Sequence, residues 1–169
     1  MLILNASISL LVYDFDGVMT DNRALVFSNG DEAVFVNRSD GMSVRMISQL
    51  GLNQLIITSE LNNIVKSRAK KLKIKIYSGT ENKKLTLCKI AKKLKIETSE
   101  ILYIGNDIND LEAMKISGLP TCPSDAHPSI KKISKYIFKT KGGYGVIREL
   151  YDLITHNAGK PKQNFIGKG

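Results

Sequence analysis

The sequence predicts an α/β fold: a doubly wound, mainly parallel sheet with helices packed on it and no large second domain. Two observations carry this. Short β-prone apolar runs alternate with segments of helical periodicity along most of the chain. The first run is continuously apolar and ends in acids, as a strand buried on both faces does. Residues 9–15 are that first strand. Residues 24–27 and 33–36 then form two β-prone arms around Asn29-Gly30, a strong hairpin turn. A hairpin placed straight after the first strand leaves the sheet, so residues 21–37 are expected to form a flap or an oligomer contact. Residues 41–50 are helical, with Val44, Ile47 and Leu50 apolar. Residues 54–58 are the second core strand, 61–72 its helix and 74–77 the third strand. A helix over 82–94, a strand over 101–104 and a short helix over 110–116 follow. Residues 119–122 form a short strand whose Pro120 lacks an N–H, which places it near an edge. Residues 136–138 are a further strand, Gly142-Gly143 break the chain, and 144–154 close it with a helix. Residues 1–156 are read as one domain and 157–169 as a flexible basic tail.

Composition narrows the function classes. A chain of 169 residues, 43% of them hydrophobic, builds a core without disulfides or a structural metal. Its longest mostly apolar stretch, residues 1–13, is interrupted by Asn5, Ser7 and Ser9, too short and too polar for a membrane span. No basic segment precedes it and Asp14 follows at once, so it makes a poor signal peptide. Cys88 and Cys122 cannot build a disulfide framework or, with His127 and His156, a convincing zinc site. The expectation is a reduced, cytoplasmic protein that contacts no membrane. A net charge of +9 suits anionic partners, nucleic acid or phosphorylated metabolites. The lysines, however, fall outside the apolar stripe of each helix, and no aromatics lie between them as a base-stacking surface requires. Nucleic acid is not the expected partner.

In a doubly wound sheet, ligands bind outside the carboxyl ends of the strands, so the strand ends are where chemistry is sought. The first strand ends Asp14-Phe15-Asp16-Gly17. Alternation puts Asp14 and Asp16 on one side of the chain, where two carboxylates repel and lose hydration. A divalent metal site, a proton-sharing pair and a helix cap are the three readings, and the metal site is favoured by its place in the fold. The second strand ends Thr58-Ser59-Glu60, where a hydroxyl and backbone N–H groups can grip an oxyanion or cap the next helix. Lys83 opens a helix. The fourth strand ends Gly105-Asn106-Asp107-Ile108-Asn109-Asp110, a dense set of hard oxygen ligands suited to Mg²⁺. An acid pair, a hydroxyl, a lysine and an acid cluster, in that order, are what phosphoryl transfer needs. No glycine-rich P-loop is present.

These four motifs resemble those of the haloacid dehalogenase (HAD) superfamily of phosphatases over roughly residues 10–150. With only a hairpin and no large cap, the chain looks like the branch acting on 2-keto-3-deoxy sugar acid phosphates. That branch holds 3-deoxy-octulosonate (KDO) 8-phosphate phosphatases, nonulosonate 9-phosphate phosphatases, and a phosphatase-like module fused to acylneuraminate cytidylyltransferases. Asp125-Ala126-His127-Pro128 and the stretch from Lys141 to Glu149 fit the same branch. Ser39-Asp40-Gly41-Met42, Thr58-Ser59-Glu60 and Arg68-Ala69-Lys70-Lys71-Leu72 lean toward its sialic-acid side. The resemblance implies an Mg²⁺-dependent phosphomonoesterase acting on a 2-keto-3-deoxy sugar acid phosphate, a nonulosonate 9-phosphate favoured and KDO 8-phosphate the alternative. Asp14 would be the nucleophile and Asp16 the acid and base. Thr58, Ser59 and Lys83 would hold the phosphoryl oxygens. Asp14, the backbone carbonyl of Asp16, Asn106 and, as a second candidate, Asp107 would hold the metal, oriented by Asp110. Glu60, Arg68, Lys71 and Asp40 would meet the sugar. A homotetramer and the pathways of sialic acid or lipopolysaccharide biosynthesis are further implications. Many active relatives carry Asp-Asp where this chain has Asn106-Asp107, so weakened metal binding, or a catalytically weak assembly module, is an alternative.

Overall fold

The computed structural model describes residues 8–157. The expected tail lies outside these residues apart from Asn157. Six strands form one sheet: β1 (Leu10–Tyr13), β4 (Asn53–Ile57), β5 (Lys75–Tyr77), β6 (Ile101–Ile104), β7 (Leu119–Cys122) and β8 (Tyr136–Ile137). Their order is β5-β4-β1-β6-β7-β8 and every pairing is parallel. A separate antiparallel pair, β2 (Leu25–Val26) and β3 (Glu32–Ala33), is the flap. The doubly wound reading is borne out. Alternation along β1 sends Leu11 and Tyr13 to one face and Leu10 and Val12 to the other, and all four are fully buried. The first face packs on α1 (Arg38–Gln49), α2 (Asn63–Leu72) and α6 (Val146–Asn157) through Val44, Ile47, Val65, Ala69 and Ile147. The second packs on α3 (Lys83–Leu94), α4 (Leu111–Ile116) and α5 (Pro128–Ile133) through Leu87, Ile90, Met114 and Ile130. No helix among the described residues is long and apolar enough to cross a membrane.

Strand order places the site. The chain leaves β1 toward β4 and β5 and then returns to lay β6 on the opposite side of β1. That reversal opens a crevice at the carboxyl ends of β1, β4 and β6. In register, Tyr13 lies opposite both Ile56 and Ile104, so the residues just beyond these three strands converge.

Three local details depart from the sequence reading and one bears it out. Helix α1 starts at Arg38, not at residue 41, because Asn37 caps it: its Oδ1 accepts the Ser39 N–H at 2.8 Å. The hairpin closes through a three-residue loop with Gly30 at φ +86°, where a left-handed residue completes the turn. The Pro120 strand lies near the edge as expected, with β8 alone beyond it in the sheet. The Pro120 carbonyl accepts the Lys135 N–H at 2.8 Å, so its missing N–H faces the side where β8 has not yet begun. Helix α5 was not foreseen, although Pro128 at its first position and His127, whose Nδ1 accepts the Ser129 N–H, are an ordinary helix start.

Candidate active site

The crevice is a cleft of about 350 Å³ lined by Asp14, Asp16, Asn22, Thr58, Ser59, Glu60 and the loop 106–109. Asp14 continues β1, its N–H donating to the Ile104 carbonyl at 2.9 Å, and the residue is 4% exposed. Its Oδ1 accepts the Phe15 N–H at 2.7 Å and lies 2.9 Å from the Lys83 ammonium. With Oδ1 so anchored, Oδ2 is the oxygen left to act in the cleft. Asp16 is steadied by Thr20, whose hydroxyl donates to its Oδ1 at 3.1 Å. Between them, Gly17 sits at φ +77°, and a Cβ there would strike the Asn106 carboxamide. Glycine is therefore required for β1's loop to approach the β6 loop.

Lys83 is buried between two carboxylates. Besides Asp14, its Nζ donates to Asp110 Oδ1 at 2.8 Å. Asp110, fully buried, also accepts the Tyr103 hydroxyl at 3.0 Å, the Asn106 N–H at 3.0 Å and the Asp107 N–H at 3.4 Å. Asp110 thus ties the lysine to the backbone of the metal-candidate loop. Burial alone would lower the Lys83 pKa, but Asp14 and Asp110 outweigh it and hold the ammonium above the usual lysine range. Burial, and then the Asp110 charge, push the Asp14 carboxyl well above the usual carboxylate range, with Lys83 opposing. Burial likewise raises Asp16, against the Thr20 hydrogen bond. Both acids therefore sit where a cation would be welcome.

One observation tests whether a divalent ion fits. Asn106 Oδ1 is a buried acceptor with no donor, on a residue 8% exposed. Left so, a buried polar atom costs about 1–3 kcal/mol. Among the described residues no three His, Cys, Asp or Glu side chains converge, so the donor set is the Asp14 carboxylate, the Asp16 backbone carbonyl and the Asn106 carboxamide. All are hard oxygens, which fit Mg²⁺.

The remaining expected residues divide. Thr58 is buried at the cleft floor, its Oγ1 accepting the Glu60 N–H at 3.1 Å. Ser59 accepts the Asn109 Nδ2 at 3.0 Å, and Glu60 lines the wall. Asp107 is exposed at the mouth and accepts the Ile108 N–H at 2.7 Å. Lys83 does not line the open cleft; two of its three donors are taken, and the third remains for an oxygen beside Asp14. Asp40, Arg68 and Lys71 are not brought to the cleft of this chain. Asp40 lies under α6, where its Oδ1 accepts the Arg148 N–H at 2.9 Å, and Arg68 donates to the Asn37 carbonyl at 2.9 Å. Sequence reasoning missed Tyr103, Thr20 and Asn22. A tyrosine next to last in an otherwise aliphatic strand, and a threonine four residues past Asp16, were the available signals.

A second missed feature braces the loop that follows Asp14. Gly142 and Gly143 lie directly against it: a Cβ on Gly142 would overlap the Gly17 carbonyl, and one on Gly143 the Thr20–Asp21 backbone. The Gly143 N–H donates to Val18 O at 3.0 Å and the Gly142 N–H to Asp125 Oδ1 at 2.9 Å.

The family model described as haloacid dehalogenase-like hydrolase matches residues 46–150. The chain belongs to that family. It is 32% identical over 155 residues to the 3-deoxy-D-manno-octulosonate 8-phosphate phosphatase of Escherichia coli, covering 91% of this chain and 82% of that protein. Among solved structures it is similar to the Moraxella catarrhalis 3-deoxy-D-manno-octulosonate 8-phosphate phosphatase in complex with magnesium, phosphate and KDO. There the TM-score is 0.86 at 33% identity, covering 89% of this chain and 87% of that one. The corresponding Yersinia pestis structure gives a TM-score of 0.85 at 32% identity, covering 89% and 82%. The HAD family thus supplies the hydrolase chemistry to which the cleft must be fitted, and the resemblance read from the four motifs is borne out.

Proposed function

We propose that the chain is a Mg²⁺-dependent phosphomonoesterase whose substrate is a 2-keto-3-deoxy sugar acid phosphate, with 3-deoxy-D-manno-octulosonate 8-phosphate the first candidate. The observation that carries the chemistry is Asp14, anchored through one oxygen by Lys83 and the Phe15 N–H, with its other oxygen left for phosphorus. The substrate class is supported by the similarity to the octulosonate phosphatases over most of both chains. A nonulosonate 9-phosphate is the second reading, favoured by Glu60, which stands in the cleft wall beside Thr58 and Ser59.

Asp14, the backbone carbonyl of Asp16 and Asn106 would hold the ion, which leaves the Asp16 carboxyl free for proton transfer. Bound there, Mg²⁺ supplies positive charge that screens the phosphate dianion from the carboxylates. Asp14 Oδ2 attacks phosphorus and the bond from phosphorus to the sugar oxygen breaks, leaving a phosphoryl group on Asp14. Asp16 gives its proton to the departing oxygen; its raised pKa suits that donor role. Asp16, now ionised, takes a proton from water, whose oxygen attacks phosphorus and releases Asp14 and inorganic phosphate. Thr58 and the third Lys83 proton would bind phosphoryl oxygens throughout. Leu25, Val26, Phe27 and Phe35 leave the flap with exposed apolar surface, which supports a subunit contact and the homotetramer expected from the resemblance.

The test is phosphate release from a panel of sugar phosphates, with and without Mg²⁺. Turnover of octulosonate 8-phosphate above the nonulosonate and neutral sugar phosphates is expected. Folded, magnesium-loaded protein that releases no phosphate from any of them would favour the assembly-module alternative.

A further inference from the structure

A cavity of about 340 Å³ lies at the amino-terminal end of the sheet, opposite the active cleft, and the two share no lining residue. Leu10, Asn53 and Lys75, which line it, are the first residues of β1, β4 and β5. Register sets Leu10 beside Asn53 and Leu55 beside Lys75. Alternation therefore sends these four side chains, and Tyr77, to the face of the sheet that packs on α3. The end of α3 lies over them through Ile90, Lys93 and Leu94.

Leu10, Leu55 and Ile90 are buried and give the cavity an apolar floor. Around that floor stand three lysines, Lys73, Lys75 and Lys93, and no acid. None of the three ammoniums has an ion pair or a hydrogen bond among the described residues. The helix dipoles favour a cation at Lys73, which caps the end of α2, and at Lys93, in the last turn of α3. Lys75 has no such support. It opens a strand, where lysine is disfavoured, and brings a third like charge to the same cavity.

The floor calls for an apolar body and the rim for a negative group. The occupant has to bring that charge itself, since residues 1–7, which lead into β1, carry no acid. A second copy of a chain with net charge +9 is ill suited to it. The volume is at the small end of the roughly 300–1,000 Å³ typical of small-molecule sites.

We propose that this cavity is a second ligand site, which takes a small organic anion: an apolar ring body on the floor and a sulfonate-, phosphate- or carboxylate-type group met by Lys75 and Lys93. It stands apart from the phosphatase reading, because neither its residues nor its test involve the cleft.

The experiment titrates the full, Mg²⁺-loaded chain with naphthalene-1-sulfonate, which has no phosphate ester to hydrolyse. Inorganic sulfate and 2-naphthol separate the charge from the ring. Calorimetry gives each Kd, and amide NMR of the deuterated protein gives the place of binding. The sulfonate is expected to bind at least about tenfold tighter than either control and to shift the amides of Asn53, Lys75, Tyr77 and Lys93. Lys75→Gln and Lys93→Gln should each raise its Kd about twofold to fivefold. Both lysines are exposed, so the variants keep the fold, which circular dichroism checks. Sulfate bound as tightly as the sulfonate would mean an adventitious ion only, and 2-naphthol bound as tightly would mean apolar contact alone; either overturns the site. Shifts centred on the hairpin or the active cleft, or a Kd unmoved by both substitutions together, overturn it as well. Amides here that shift with protein concentration in probe-free samples would put a second copy on this face in place of a ligand.

Discussion

Replacing Asp40 by asparagine should make the protein more stable, and by an amount that depends on pH. Asp40 is 3% exposed beneath α6. Its Oδ1 accepts the Arg148 N–H, while its Oδ2 is buried without a partner. Burial pushes its pKa from an ordinary 3.8 to about 6, with the α6 N–H groups and Arg68 opposing. A carboxyl whose pKa is raised by folding contributes stability that is fully present below its unfolded pKa and is lost as pH rises through the folded one. The gap between about 6 and 3.8, at about 1.4 kcal/mol per tenfold in the proton equilibrium, is worth about 3 kcal/mol. Asparagine keeps the Oδ1 acceptor and carries no charge, so it behaves as permanently protonated Asp40. Urea unfolding followed by circular dichroism at pH 5, 6, 7 and 8 reads the difference between the two proteins. Asp40→Asn should be more stable by roughly 1.5 kcal/mol at pH 5, rising to about 3 kcal/mol at pH 7 and flat above it. A difference independent of pH, or a wild type more stable at pH 8, would refute the argument, because Arg68 would then be neutralising the charge. The same variant should keep its KM, since the structure sets Asp40 to holding a helix. A KM rise in a normally folded variant would return it to the substrate-binding role expected from the sequence.

Three further substitutions examine the cleft. Asp14→Asn should lower kcat at least about a thousandfold without unfolding the protein, measured by phosphate release; retained turnover would remove Asp14 as the nucleophile. Asn106→Asp adds a negative charge to the cation site and should tighten Mg²⁺ about tenfold or more in calorimetric titration; unchanged affinity would count against Asn106 as a ligand. Tyr103→Phe removes only the hydroxyl on Asp110, a bond to a charged group worth about 1.5–3 kcal/mol. With Asp110 less firmly held, kcat should fall severalfold while KM stays constant, and equal changes in both would mean the phenol merely packs.

The fold was legible because β1 is apolar without a break and, outside the hairpin and β7, each later strand is followed by a helix the sequence shows. The place of β7 near the edge was legible from Pro120. The missing Pro120 N–H is tolerated by a neighbour that starts one residue later, a matter of strand length and not of propensity. Within the site, Asp14, Asp16, Thr58, Asn106 and Glu60 could be placed because the carboxyl ends of strands that pair in register must meet. Arg68 and Lys71 are one helical turn apart, but which way that face of α2 points depends on tertiary packing that spacing does not encode. Tyr103 was hidden by its apolar ring, since one hydroxyl does not alter the pattern of a buried strand.

The glycine turn at 142–143 gives the molecule a built-in order of assembly. The loop that carries Asp14 is made well before the backbone it rests against. The sheet from β1 to β7 can form before that brace arrives, whereas the Asp14 loop cannot be locked in place until it does. A chain interrupted ahead of Gly142 would therefore hold that loop loosely.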